Sequence, residues 1–230
     1  MRTAVLLTAL LAMPAQADCV ILLHGLARSA SSMEPLAEFL GEQGYEVVNV
    51  DYPSRHYTIE ELADVAVPAA LDQCGDAGRV HFVTHSMGGI LVRQYLAHHQ
   101  LDDLGRVVMM GPPNQGSEVV DKLGTLPAFE WLNGAAGLQL GTGPDSLPLA
   151  LPPADFELGI IAGTASINPM LSTMIPGDDD GKVSVVRAQL EGMNDFLTVP
   201  ATHTFLMQND EVMRQVAYFL SHGSFLRHQE

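Results

Sequence analysis

Val83-Thr84-His85-Ser86-Met87-Gly88-Gly89 closes an apolar run over Arg79–Thr84 and opens a helical pattern over Gly88–His98. A serine at so abrupt a strand-to-helix turn sits on a strained elbow, its hydroxyl raised above the sheet edge at a helix N-terminus. Small flanking residues let the backbone pass close to its neighbours. Gly88 meets that demand on one side. On the other stands the β-branched Thr84, which requires the elbow to open slightly. The plain alternative is a serine N-cap after a strand, a common local structure. Taken alone, the heptapeptide favours a nucleophile.

Outward from this turn, short apolar runs alternate with helical patterns and no internal repeat stands out. The strand candidates are Cys19–Leu23, Tyr45–Val50, Arg79–Thr84, Gly105–Met110, Leu158–Gly163 and Phe196–Val199. Their apolar residues run nearly unbroken instead of alternating, which suits strands buried on both faces of a parallel sheet. Ser31-x-x-Glu34 and Thr58-x-x-Glu61 read as capping boxes opening helices, and further helices follow Ser86 and Asn209. Such alternation predicts an α/β domain with right-handed crossovers. Over residues 111–155 the rhythm breaks into a Gly- and Pro-rich stretch holding Phe129 and Trp131. It is either an insertion over the sheet, a cap or lid, or a helix pair with long loops.

The 230 residues suit one domain, and 47% apolar composition excludes a disordered chain. Eleven Lys and Arg against 27 Asp and Glu give a formal charge of −16. That balance excludes nucleic acid and anionic membrane surfaces as main partners. Met1-Arg2, the apolar run 4–13, Pro14 and Ala15-Gln16-Ala17 form a signal-peptide pattern over residues 1–17. The apolar run stops short of the roughly 20 residues a span needs. The expected mature domain is 18–230, exported to the periplasm or secreted, with no stable membrane anchor. Asp18 is too large for the position before a lipoprotein cysteine. In an oxidising compartment Cys19 and Cys74 read first as one disulfide, with two buried thiols as the alternative. Two such ligands do not complete a zinc site.

A serine hydroxyl needs a base, and the base needs an orienting group. Ala201-Thr202-His203-Thr204 follows the last strand candidate and precedes a final helix, which marks His203 above His56 and the remaining histidines. The run Asp178-Asp179-Asp180 also follows a strand. Three adjacent carboxylates repel one another, so at least two of them are expected to face water or a cation. Asp180 is the expected acid and Asp178 the runner-up. The chain order Ser, Asp, His is the one this architecture uses. A tetrahedral intermediate also needs fixed N–H donors. Met87, after the serine, offers one, and Leu26, after Leu23-His24-Gly25, offers the other.

Taken together, Leu22-Leu23-His24-Gly25, Thr84-His85-Ser86-Met87-Gly88-Gly89, Gly111-Pro112-Pro113-Asn114-Gln115-Gly116-Ser117, Asp180-Gly181-Lys182-Val183-Ser184 and His203 resemble the small bacterial serine lipases and esterases of the α/β-hydrolase superfamily. The resemblance implies an α/β-hydrolase fold with a minimal, mainly parallel sheet of about six strands, the family's first two strands being absent. It implies Ser86 as nucleophile, His203 as general base and Asp180 as its partner, the Asp-Gly-x-Val pattern selecting Asp180. It also implies Leu26 and Met87 as oxyanion donors, supported by His24, Gly25, His85 and Gly88. The Gly-Pro-Pro-Asn-Gln-Gly-Ser stretch resembles the run that opens the cap in such lipases. Some larger members hold calcium with an aspartate two residues past the histidine; Phe205 stands there. The expected reaction is hydrolysis of a lipid-like or medium-chain ester without metal or organic cofactor. Phe129, Trp131, Leu138, Leu140 and Leu147 are expected to line the acyl pocket. Acyltransferase, thioesterase or amidase chemistry on the same triad, and a catalytically silent binding protein, are the alternatives. Oligomeric state is left open.

Overall fold

Five consecutive apolar residues, Cys-Val-Ile-Leu-Leu, form strand β1 (Cys19–Leu23), and every one is fully buried. The computed structural model describes residues 16–227, so the expected leader lies, but for its last two residues, outside them. After β1 come α1 (Glu34–Glu42), β2 (Glu46–Val50), α2 (Ile59–Cys74), β3 (Val80–His85), α3 (Met87–Leu96) and β4 (Leu104–Met110). Then follow α4 (Glu118–Leu123), α5 (Pro127–Leu138), α6 (Leu147–Ala150), β5 (Leu158–Gly163), α7 (Pro169–Ser172), α8 (Val185–Ala188), β6 (Asp195–Val199) and α9 (Asp210–His222).

The six strands form one sheet in the order β2-β1-β3-β4-β5-β6, and every pairing is parallel. Successive side chains on a strand face opposite ways, and the core divides accordingly. Cys19, Ile21 and Leu23 join Phe82, Val107 and Met109 under α2 and α3. Val20 and Leu22 join Val83, Val108 and Met110 under α1 and α9. Both faces are covered, which explains the unbroken apolar runs. Each fully buried Val, Ile or Leu contributes about 1.5–3 kcal/mol. Only the edge strands β2 and β6 keep exposed or half-buried positions along most of their length. β1 and β5 occupy their expected spans, and the other strands differ by about one residue at an end.

The capping box at Thr58 and Glu61 forms reciprocally, and Asn209 caps α9 through the Glu211 and Val212 amides. The box expected at Ser31 and Glu34 does not form. A 3-10 turn over Ala30–Met33 leads into α1, the Ser31 hydroxyl pairs with Ser29, and Glu34 accepts a hydrogen bond from the Asn49 side chain. α3 runs from Met87 to Leu96, starting one residue before and ending two before its expected span.

Residues 111–155 fold as α4, α5 and α6 between β4 and β5. α5 breaks at Gly134, whose φ is +66°. A Cβ there would lie 1.7 Å from the Arg55 carbonyl oxygen, so backbone packs directly on backbone. The buried Arg93 of α3 anchors the same stretch. It donates to the carbonyls of Asn114, Pro148, Leu151 and Pro152 at 2.9–3.3 Å. Burial lowers its pKa to about 10, which still leaves it charged at neutral pH. Nothing in the sequence pattern marked Arg93 for this task.

Cys19 and Cys74 are joined by a disulfide, with Cα atoms 5.8 Å apart, tying the start of β1 to the end of α2 across a sequence separation of 55. Closing a loop of that length removes about 4 kcal/mol of chain entropy from the unfolded state. Replacing both cysteines by alanine is therefore expected to lower unfolding free energy by about 2–4 kcal/mol. Urea melts of the two proteins at equal pH measure this, and an unchanged midpoint would contradict it.

Candidate active site

In the order β2-β1-β3, the chain leaves β1 toward one side and returns through β3 on the other, so a crevice opens beyond the carboxyl ends of β1 and β3. Ser86 stands at that point with φ +53°, a left-handed conformation unusual for a side-chain-bearing residue. Its amide donates to the Met110 carbonyl at 2.9 Å, which holds the turn against β4. A Cβ on Gly88 would lie 2.4 Å from the Leu23 carbonyl oxygen, and one on Gly25 would lie 2.7 Å from His85 Nδ1. Thr84 is fully buried in this crowd. The room it needs is made at Gly89, where a Cβ would approach Thr84 Oγ1 to 3.2 Å and Met109 Sδ to 3.1 Å.

Three polar side chains from separate loops meet above the sheet. His203 Nε2 is 3.0 Å from Ser86 Oγ, and His203 Nδ1 is 2.7 Å from Asp180 Oδ2. All three residues are buried or nearly so. The other Asp180 oxygen accepts the Lys182 and Val183 amides at 3.0 and 2.9 Å, while the Asp180 carbonyl accepts the His203 amide at 2.9 Å. The carboxylate is therefore fixed on both oxygens, which fixes the imidazole with its proton on Nδ1 and its lone pair toward the serine. Asp178 is exposed. Asp179 is half-buried and accepts the Ser172 hydroxyl and the Gly181 amide, both on Oδ1. Among the described residues no group of three or more His, Cys, Asp or Glu is arranged to hold a metal ion.

The flanking motif residues shape this arrangement. His85 Nε2 donates to the His203 carbonyl at 2.9 Å, and its Nδ1 is buried without a partner. His24 is fully buried and stacks on Tyr52 with ring centroids 4.0 Å apart, and the Tyr52 hydroxyl donates to the His24 carbonyl. Met87 is the first residue of α3, where an N–H has no acceptor within the helix. Leu26 lies on the cleft wall, and among the described residues no backbone carbonyl accepts its amide. The next residue, Ala27, has φ +55° and donates its amide to Ser54 Oγ at 3.1 Å.

Ser86 and His203 open into a cleft of about 250 Å³ whose walls include Leu26, Val120, Leu123, Phe129, Leu132 and Leu140. Phe129 and Leu140 thus line it as expected, but Trp131, Leu138 and Leu147 do not. Helical periodicity explains the first: with Phe129 and Leu132 facing the cleft, Trp131 points away and is 81% exposed. Leu138 lines a separate shallow pocket, and Leu147 packs on the core beneath the sheet. A larger hollow of about 780 Å³ between the end of β2 and α2 contains none of these polar residues, so its size does not make it the reactive site. Arg28 and Lys182 also line the cleft. Sequence patterning gave them no role, although Lys182 stands inside the Asp-Gly-x-Val motif.

The sequence model described as the alpha/beta hydrolase family matches residues 20–223. No curated protein matches the sequence. Among solved structures, the chain resembles the mature Bacillus licheniformis lipase BlEst2 with a TM-score of 0.69 and 21% identity, over 90% of this chain and 93% of that one. A metagenomic carboxyl esterase gives 0.69 and 18%, over 84% and 66%. The RedJ thioesterase of prodiginine biosynthesis in Streptomyces coelicolor gives 0.53 and 18%, over 94% and 96%. Likeness at such identities is likeness of fold.

Buried histidines predict a pH response. Burial lowers the pKa of His24 and His81, and lowers that of His85 well below its ordinary value. Below about pH 6.5 the unfolded chain binds more protons at these sites than the folded one. Their contribution is therefore intact above that pH and lost as pH falls through it. Calorimetric Tm is expected to drop between pH 7.5 and 5, and less steeply in His85→Asn. Parallel slopes for the two proteins would contradict the assignment.

Proposed function

The chain belongs to the alpha/beta hydrolase family, and on that premise we propose that it is an exported serine hydrolase cleaving carboxylic esters of apolar, medium-length acyl chains. The observation that carries this is the relay from Ser86 Oγ to His203 Nε2 at 3.0 Å and from His203 Nδ1 to Asp180 Oδ2 at 2.7 Å, placed at the floor of an apolar cleft. Ser86 attacks the ester carbonyl as His203 takes its proton, and Asp180 stabilises the imidazolium that forms. The new oxyanion rests on the Leu26 and Met87 amides; one such donor is worth about a hundredfold or more in kcat. His203 then protonates the leaving alcohol, and water repeats the cycle on the acyl-enzyme. Residues 111–155 act as a small cap that supplies the acyl wall, with Phe129 and Leu140 inside and Trp131 outside. The disulfide agrees with export to the periplasm or beyond.

Ser86→Ala is expected to abolish fluorophosphonate labelling and to lower kcat by about 10⁴-fold or more. Asp180→Asn is expected to cost about 10³–10⁴ in kcat, and Asp178→Asn to cost little. Rates on 4-nitrophenyl esters of rising chain length measure both effects and locate the acyl preference. A folded wild-type protein that resists the fluorophosphonate would favour a silent binding protein. Labelling without turnover of any chain length would move the reaction to another acyl acceptor or to amides.

A further inference from the structure

The charge inside the cleft opposes the charge of the chain. Asp and Glu outnumber Lys and Arg by 27 to 11, yet the lining of the cleft over Ser86 includes Arg28 and Lys182 and no carboxylate. Arg106, Arg187, Arg214 and Arg227 each pair with a carboxylate, and Arg55 and Arg79, which carry no such pair among the described residues, lie outside the cleft. Arg28 has one long hydrogen bond, 3.4 Å, to the Thr204 carbonyl. The Lys182 ammonium makes no hydrogen bond or ion pair with any described residue, although its main-chain amide holds Asp180. Partial loss of water against the cleft, and secondarily the nearby Arg28, pull the pKa of the exposed Lys182 down, while Asp180 pulls it up. Arg28, half-buried, and Lys182, exposed at the cleft rim, repel one another weakly through solvent, and a bound anion would relieve that repulsion. Asp180 favours the Lys182 charge from nearby but makes no hydrogen bond or ion pair with the ammonium, its oxygens being taken by the Lys182 and Val183 amides and by His203.

Resting on the hydrolase reading above, we infer that Arg28 and Lys182 form an anion subsite, and that the preferred substrates are esters carrying an acidic group, phosphate or carboxylate, near the reacting carbonyl. The apolar wall takes the acyl chain, and the cation pair sets which end of the molecule lies over Ser86. The pair is a specificity element, separate from the proton relay.

Binding and turnover test this independently. In Ser86→Ala, submicellar octyl phosphate or octanoate is expected to raise Tm saturably and octyl glucoside is not. Adding Lys182→Met and Arg28→Gln is expected to remove the shift; Lys182→Met keeps the main-chain bond to Asp180. With the intact serine, kcat/KM is compared between octanoylglycerol phosphate and octanoylglycerol, and between mono-4-nitrophenyl glutarate and 4-nitrophenyl pentanoate, each net of its uncatalysed rate. A charge-assisted contact predicts an anionic preference of about tenfold, lost in Lys182→Met. Preference in the first pair identifies a phosphate on the alcohol side, and in the second a carboxylate on the acyl side. No preference in either pair, or equal losses on charged and neutral esters in Lys182→Met, would overturn the subsite. If no ester turns over, the hydrolase reading fails, and the Tm comparison still decides whether an anion binds.

Discussion

The first turn of α3 lies so near the end of β1 that one added carbon at position 88 would sit 2.4 Å from the Leu23 carbonyl oxygen. That contact sets the rest of the site. Because α3 starts directly over β1, the chain between β3 and α3 must turn within one residue, and Ser86 takes a left-handed φ to do it. The same crowding brings the loop after β1, with Gly25 and Leu26, against His85 and Ser86. Serine, helix amide and loop amide are thus arranged by backbone packing. Such strain persists only where surrounding structure over-determines it, and here the buried central strands β1, β3 and β4 do so.

Much of this was legible in the sequence for a physical reason. Strands covered on both faces leave unbroken apolar runs, and β1 and β5 were readable end to end. Ser86, Asp180 and His203 were marked by their place after strands, and the fold brings these three together. What stayed hidden depends on contacts distant in sequence. Trp131 and Phe129 look alike in composition, and only the rotation of α5 separates the exposed ring from the half-buried one that lines the cleft. Ser31 and Glu34 satisfy the capping spacing, but nearby hydroxyls and the Asn49 amide offered better partners. Arg28 and Lys182 are ordinary surface residues by type, and only the folded chain sets them along the same cleft as the serine.

The chain keeps its charges in three distinct settings. Most carboxylates face water, where a net charge of −16 favours solubility. His24 and His85 are buried within the fold, and His85 spends its one donor on the His203 carbonyl. Arg93 is buried yet remains ionised at neutral pH, its pKa lowered by burial only to about 10, and four main-chain carbonyls accept from its two terminal nitrogens. Removing that guanidinium leaves buried acceptors unsatisfied at about 1–3 kcal/mol apiece.

Arg93 grips residues 148, 151 and 152 solely by their carbonyl oxygens. Such a mooring is blind to side-chain identity. Apart from the positions that pack on the core, the segment it holds is therefore free to drift in sequence while its attachment to the scaffold stays the same. A protein built this way separates change in its outer segments from the upkeep of its frame.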